Sequence, residues 1–593
     1  MTMAGWSGKQ CDKRFYLGKI ECIGRILYGK NKKRLKNVTS LVMAVVMVLV
    51  AALPEQIVAQ AATSKKSPTA SITYKFTGKD AVTPGFAQGT ITLKSKVGGK
   101  YYLYWANNKS ALSGYYGICN MKVTKGGSKK FTFAEQTAIP ADATKVIAIR
   151  ANSEPKDKTV AKASAVYTIP TSKRLASKSK DALYTFNSYS DIHIDEEKWG
   201  SAPGYWWEYS EQHWEQALEF STQKKVDFIV SSGDQVTNAR LNNLDKEWRV
   251  YQNILAHSDY VNPIYECGGN HEVRQDGAVE KELQAYVRAT GLDGSADTVT
   301  EGKTYYTMTE PKTGDLFIFM SLEKGYRANK YDEFSDEQLD WLDKTLAENY
   351  GKGKNIYLIQ HALISGYGAG DDTATPYYGG AMNPELETAK RFISIIEKYP
   401  DMIWISGHSH EDYKLGYNYS NNNGTSCNMI HNSSIGNPTH LKDNEGKKEI
   451  DYTFFENISQ GYYVQTFRDS IIFNGSNVVT KKIYPAYCYI IKGNTQARYT
   501  VEENYNKTTE NKTIGNVNSI LANVKCYLAI NYQYSSYDQY QLLKKTYYTY
   551  KAIDRKKMSQ LDLNIAYGKL STYLVNLHDT INKVPMNVDL TAE

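Results

Sequence analysis

Cysteine is scarce and scattered in this sequence of 593 residues. Seven stand at positions 11, 22, 119, 267, 427, 488 and 526, with no C-x-x-C pair among them. That excludes a disulfide framework and a cysteine-based zinc site. Long apolar runs are scarcer still. Leu41–Leu53 is uncharged over thirteen residues, short of the ~20 that a membrane-spanning helix needs. No second run of that kind follows. A charge surplus is missing too, once the first forty residues are set aside. They hold ten Lys or Arg against two acids, and the rest of the chain balances to zero. The body therefore shows no electrostatic footprint for nucleic acid, and none is expected as a partner. No G-x-S-x-G elbow is present, so no hydrolase of the serine-nucleophile type is indicated. Phenylalanine is sparse beside tyrosine, 16 against 48. Tyrosine suits half-buried strands and wet binding surfaces.

What is present begins with a leader. The basic residues run into Leu41–Leu53, then Pro54 and the small-residue stretch Val58-Ala59-Gln60-Ala61-Ala62. This order reads as a secretory signal cut after Ala61, which places the mature protein outside the cytoplasm, secreted or at the cell surface. An uncleaved N-terminal anchor is the alternative. Beyond it the chain divides by pattern. Residues 62–70 form a polar linker. Residues 71–170 hold short strand-like runs between Gly, Asn and Lys turns, among them Gly89–Leu93, Lys100–Trp105, Lys130–Phe133, Lys145–Arg150 and Ser164–Ile169. They predict a small β-sandwich, serving as binding module, lid or spacer. Residues 171–181 form a second linker.

From 182 to 493 strands alternate with helices, the mark of an α/β sheet domain. One helix starts at Ser335, where Ser335 and Gln338 predict a capping box and Leu339, Leu342 and Leu346 recur at helical spacing. From Gly416 the pattern turns strand-rich, as for a second sheet of the same domain. Residues 494–512 are a third linker, and 513–585 carry the apolar stripes of a three-helix bundle, with Val517, Leu521, Val524 and Leu528 in its first helix.

The chemistry lies in the α/β part. Five polar blocks fall at the C-terminal ends of predicted strands: Asp191-Ile192-His193, Gly233-Asp234, Gly269-Asn270-His271-Glu272, His361, and Gly407-His408-Ser409-His410. Sites in such sheets form where strands end. In D-x-H and H-x-H, extended backbone would aim residues i and i+2 the same way. Glycines before Asp234, Asn270 and His408 permit sharp turns and close approach. Imidazole, carboxylate and amide oxygen without thiolate suit Mn²⁺, Fe, Zn²⁺ or Co²⁺. The set of Asp191, His193, Asp234, Asn270, His361, His408 and His410 exceeds the needs of one tetrahedral ion and serves two that share a carboxylate.

The ordered series D-x-H, G-D, G-N-H-E, H, G-H-x-H resembles the calcineurin-like metallophosphoesterases over roughly residues 182–493. The resemblance implies a four-layer sandwich of two mixed β-sheets flanked by helices. It implies that Asp191, His193 and His410 hold one divalent ion, that Asn270, His361 and His408 hold the other, and that Asp234 bridges them. His271 would be no ligand, but would sit over the substrate phosphate as the catalytic residue. The implied activity is hydrolysis of phosphoric esters, mono- or diester, by an activated water. Nucleotide or diphosphate hydrolysis is an alternative, and a surface-binding protein with a catalytically weak metal domain is another. The expected partner is a small phosphorylated substrate, nucleotides included, with the flanking modules binding cell-surface or polymeric material. Glu272 is expected to orient His271 through its second ring nitrogen or through backbone contacts. Tyr205, Trp206 and Trp207 could stack on a base or sugar, and Asn238 could contact substrate. His213, His257, His431, His440 and His578 read as structural or exposed.

Overall fold

The structure is a computed structural model that describes residues 68–78, 83–175, 182–195, 208–238, 244–274, 278–290, 303–323, 334–370, 382–415, 418–444, 447–451, 456–492, 512–535, 538–558 and 560–582. The leader with its cleavage site, the cluster Tyr205-Trp206-Trp207 and all but the last residue of the linker 494–512 lie outside the described residues.

Period-two alternation builds the first body. In β1 (Ala70–Phe76), Ala70, Ile72 and Tyr74 are buried while Ser71, Thr73 and Lys75 are exposed. β2 (Gly89–Ser95), β3 (Gly99–Ala106), β4 (Cys119–Val123), β5 (Ser128–Phe133), β6 (Lys145–Arg150) and β7 (Ala165–Thr168) follow. They form two antiparallel sheets, ordered β1-β2-β5 and β4-β3-β6-β7. Ile91, Leu103, Trp105, Phe133 and Val146 fill the space between.

The α/β body runs β8 (Tyr184–Tyr189), α1 (Ser210–Lys224), β9 (Phe228–Ser231), α2 (Leu244–His257), β10 (Ile264–Glu266), α3 (Val279–Thr290), β11 (Tyr306–Thr309), β12 (Leu316–Met320), α4 (Asp336–Asn349), β13 (Ile356–Gln360), α5 (Glu387–Ile396) and β14 (Ile403–Ser406). Then come β15 (Tyr419–Ser420), β16 (Asn428–His431), the hairpin β17 (His440–Asn444) and β18 (Lys447–Asp451), and β19 (Gln460–Thr466), β20 (Ser470–Asn477) and β21 (Lys482–Lys492). The strands make two six-stranded mixed sheets, β10-β9-β8-β19-β20-β21 and β11-β12-β13-β14-β16-β15. Apart from the hairpin β17–β18, which forms a two-stranded sheet, the strand-rich end makes no separate second sheet, contrary to expectation. It splits, because both β8 and β14 are buried along their length and neither could remain an open edge. β19 pairs antiparallel with β8, and β16 pairs parallel with β14.

Alternation along each strand then assigns the layers. Phe186, Phe317, Tyr357 and Phe473 meet between the sheets, with Phe186 edge-on to the other three at centroid distances of 5.4, 5.6 and 6.4 Å. Asn187 and Tyr189 face the other way, onto α1, where the Tyr189 hydroxyl donates to Ala217 O at 3.0 Å. Leu316, Ile318, Met320 and Leu358 face outward under Leu339, Leu342 and Leu346 of α4 and Phe392 of α5.

The predicted capping box at α4 is only half present. Ser335 Oγ accepts from Gln338 N at 3.1 Å, but the Gln338 side chain is buried and committed to the backbone of Ser321, at 3.1 and 2.9 Å. Glu323 accepts the Ser335 N–H instead.

The sandwich covers the edge strand β21. Tyr116 N–H donates to Ile483 O at 2.9 Å, Ala138 N–H to Cys488 O at 2.9 Å, and Ile490 N–H to Gln136 O at 2.7 Å. Phe86, Ala138, Ile483, Cys488 and Ile490 join in one apolar cluster behind these bonds. An open row of edge donors and acceptors is thereby closed.

The C-terminal body is α6 (Ile514–Ile530), α7 (Asp538–Ala552) and α8 (Gln560–Asn582). Thr513 and Asn516 form a reciprocal capping box at the start of α6. The expected stripe of Val517, Leu521, Val524 and Leu528 packs on Leu543, Tyr547, Leu563, Leu570 and Leu577.

Candidate metal centre

The five polar blocks follow β8, β9, β10, β13 and β14, and the topology brings those strand ends from both sheets to one place. The backbone that presents them is not extended. Asp191 and His193 take φ of 54° and 55°, Asp234 56°, His408 79° and His410 58°. The expectation that i and i+2 point alike on an extended segment is thus corrected. Left-handed backbone at both ends of each triplet turns the side chains inward, at a cost of order 1–3 kcal/mol per residue. Gly233 (φ 104°) makes the turn before Asp234, and a Cβ there would lie 2.7 Å from His361 Nδ1. At Gly407 a Cβ would overlap the Ser190 hydroxyl.

Two groups of donor atoms result, and Asp234 closes the second of them while reaching into the first. Asp191, His193 and His410 gather with His410 Nε2 at 3.0 Å and His193 Nε2 at 3.7 Å from Asp191 Oδ1. His193 Nε2 lies 3.7 Å from Asp234 Oδ2. In the second group His361 Nε2 stands 3.1 Å from Asp234 Oδ2 and 3.0 Å from Asn270 Oδ1, and His408 Nδ1 lies 2.9 Å from Asn270 Oδ1. His408 and His410 therefore serve different groups. Ser409 between them turns away to meet His431 Nε2 at 2.8 Å.

The donors suit cations. His361 Nδ1 and His410 Nδ1 sit 2.7 and 3.1 Å from the carbonyls of Ser232 and Asn437. Those contacts turn each Nε2 toward the cluster, where a neutral ring presents a lone pair to an ion. The Nε2 atoms of His193 and His410 face one another at 3.1 Å, which asks for a positive charge between them. Asp191 Oδ1 is fully buried, and the groups that approach it are the imidazoles of His410 and His193. Burial opposes ionisation of Asp191 and Asp234, yet the surrounding imidazoles hold both carboxyls well below the usual carboxylate range. Burial also disfavours charge on His361, but Asp234 and Asp191 push it up to about 10. His408 is pushed down to about 4 by burial and by His361. Two ionised carboxylates among inward nitrogens make a pocket for divalent ions.

Around this centre several side chains have tasks that the sequence did not disclose. Of the two routes by which Glu272 could orient His271, it takes the one through backbone contacts and not the one through the ring nitrogen. Its carboxylate accepts the N–H groups of Asp234 (2.9 Å), Gln235 (2.9 Å) and Gly269 (2.7 Å). It clasps the turn after β9 to the turn after β10. Burial and the Asp234 charge push Glu272 up to about 8, against those donors. His271 sits at the mouth, with Nε2 at 3.8 Å from Asp234 Oδ2 and Nδ1 against Thr237 O. Burial and the Arg274 guanidinium hold its imidazole well below the ordinary value, so it is neutral at rest. Arg274, whose Nη1 lies 3.0 Å from His271 Nδ1, was missed; a basic residue directly after G-N-H-E-V was the available signal.

Asn238 is fully buried. It donates to His271 O at 2.9 Å and to Glu282, so it braces the His271 turn. His431 is buried behind Ser409, and His213 is held between the carbonyls of Gly436 and Glu456.

Residues 186–412 match the family model described as calcineurin-like phosphoesterase. No curated protein matches the chain in sequence. Among solved structures, a dimetal phosphatase from Danio rerio is 13% identical, covering 53% of this chain and 100% of its own, with a TM-score of 0.37. A purple acid phosphatase from yellow lupin seeds is 13% identical, covering 70% and 74%, with a TM-score of 0.38.

Proposed function

We propose that the calcineurin-like phosphoesterase domain of this chain, a metal-dependent phosphoester hydrolase with a binuclear divalent centre, acts outside the cytoplasm on small phosphoric mono- or diesters. The observation that carries this reading is the pair of donor groups meeting at Asp234. Asp191, His193 and His410 would hold one ion and Asn270, His361 and His408 the other, with Asp234 within reach of both groups. Bound ions supply an acidic water and a positive clamp for phosphoryl oxygens.

The chain's own residues do the rest. Glu272 fixes the spacing between Asp234 and Asn270 by clasping both turns. His271, held through Nδ1 on Thr237 O, presents the Nε2 lone pair to the phosphoryl group, where it would take a proton from the attacking water and pass that proton to the leaving oxygen. Arg274 supplies the positive charge that a neutral His271 lacks. The leader around Leu41–Leu53 supports export, and the flanking modules hold the enzyme near surface or polymeric material. A binding protein with a degenerate site is disfavoured, since five candidate ligand residues in left-handed backbone would be strain without return.

The test is a panel of chromogenic mono- and diesters with nucleoside mono- and diphosphates, run with Mn²⁺. Turnover of at least one ester class is expected. Bound metal with no turnover of any member would favour the binding protein. His271→Ala is expected to lower turnover and leave metal content intact; a fall in metal content would refute its assignment.

A further inference from the structure

The C-terminal bundle carries a second site. Residues of α6, α7 and the turn between them line a pocket of about 390 Å³. That is within the range of small-ligand sites. Leu528, Tyr540 and Tyr547 belong to the bundle core and form its floor. The Tyr540 hydroxyl donates to Leu528 O at 2.8 Å, tying the two helices beneath it. The walls are Lys525, Tyr532, Lys544, Tyr548 and Lys551, with Ala529 leaving room between them.

The spacing shows that one face of each helix is committed to this pocket. Lys525, Leu528, Ala529 and Tyr532 step by three, one and three residues, and Tyr540, Lys544, Tyr547, Tyr548 and Lys551 by four, three, one and three. The lining holds no acid. Among the described residues none of the three lysines pairs with a carboxylate. Lys551 Nζ instead stands 5.4 and 5.7 Å from the ring centres of Tyr547 and Tyr548. Of the pocket's tyrosines, Tyr532 and Tyr548 are 67% and 56% exposed.

The charge is local. Residues 513–585 hold nine Lys or Arg against four Asp, within a chain that balances to zero beyond residue 40. Ten tyrosines stand in the same stretch, with no Phe or Trp.

We infer that this pocket binds an anionic polysaccharide, with sugar rings on the faces of Tyr532 and Tyr548 and acid groups at Lys525, Lys544 and Lys551. Tyrosine offers a flat apolar face with a hydroxyl for sugar oxygens. Lysine offers point charges to scattered acid groups, where arginine forks would favour phosphate. The pocket is short, while single-stranded nucleic acid is held by a basic groove that tracks several nucleotides.

The test uses the full chain, with electrophoretic retardation in gels containing polygalacturonate. Retardation is expected, weakening with salt. In the triple variant Lys525→Gln, Lys544→Gln, Lys551→Gln, affinity should fall about tenfold. Turnover of a chromogenic phosphate ester should not change in that variant. Tyr548→Ala should weaken retardation without altering the bundle's helical circular dichroism. Equal retardation of the parent by neutral dextran, full retention in the triple variant, or tighter binding of single-stranded DNA than of polygalacturonate would each overturn the inference.

Discussion

The β-sandwich and the metal-centre loops are built from the same chain under opposite rules. Among the described residues from Ala70 to Pro170, the buried polar side chains are Ser95 and Thr137, and the non-glycine residue with positive φ is Gln136. The loops after β8, β9 and β14 bury Asp191, His193, Asp234, His408 and His410, all in left-handed backbone. The sandwich spends its interior on packing alone. The centre gives up stability so that donor atoms converge, and ion binding is what returns it.

The sharpest way to break this contrast is to alter Asp234, the carboxylate proposed to serve both donor groups. Asp234→Asn should cut turnover by about a thousandfold or more, because both donor groups lose their common carboxylate. Thermal unfolding of the metal-free protein should shift only by the loss of the buried Asp234–His361 ion pair. Loss of the cooperative transition would mean that Asp234 holds the fold rather than the ions. The opposite change lies in the sandwich, where Trp105 stacks on Phe133 at 5.4 Å. Trp105→Ala should cost about 3–5 kcal/mol in urea unfolding. Turnover at 25 °C should remain at the parent value, and loss of activity in the folded variant would show that the sandwich shapes the site.

Glu272→Gln sharpens the comparison from within the centre. An amide NH₂ group would face backbone N–H donors that now meet a carboxylate oxygen. Metal affinity and turnover should fall together, by about 10- to 100-fold. Turnover loss with unchanged metal affinity would assign Glu272 to the chemistry instead of the clasp.

The smallest effect concerns Glu266, buried at the end of β10. Burial, against the Tyr251 hydroxyl that donates to it, pushes its carboxyl up to about 7 from the ordinary 4.5. The folded state therefore holds a proton that the unfolded state releases. Stability falls as pH rises between those values and stays flat above. Glu266→Gln should exceed the parent by about 2 kcal/mol at pH 8 and match it at pH 4. An offset equal at both pH values would contradict the assignment.

Much of the site was legible because its blocks punctuate strand ends. D-x-H, G-D, G-N-H-E and G-H-x-H are short, polar and ordered, and each follows an apolar run that reads as a strand. The backbone that aims them was not legible. Asp and His carry no mark of left-handed φ, so extended geometry was the natural expectation for Asp191-Ile192-His193. Glu272 was legible only in part for a related reason. Adjacency left the His271 ring open as its partner, while the fold offered it three backbone donors. The division of strands 419–492 between two sheets was equally hidden, since alternation tells which face is buried but not which neighbour pairs. Gln338 looked like half of a capping box until burial gave it to Ser321.

The most direct test of the shared two-ion centre is a titration of metal-free protein with Mn²⁺, following bound metal and hydrolysis of a chromogenic phosphate ester together. The account predicts activity that rises to a break at two ions per chain in the parent and that is absent from Asp234→Asn at every ratio. Full activity at one ion per chain, or hydrolysis that persists in the metal-free protein, would contradict it.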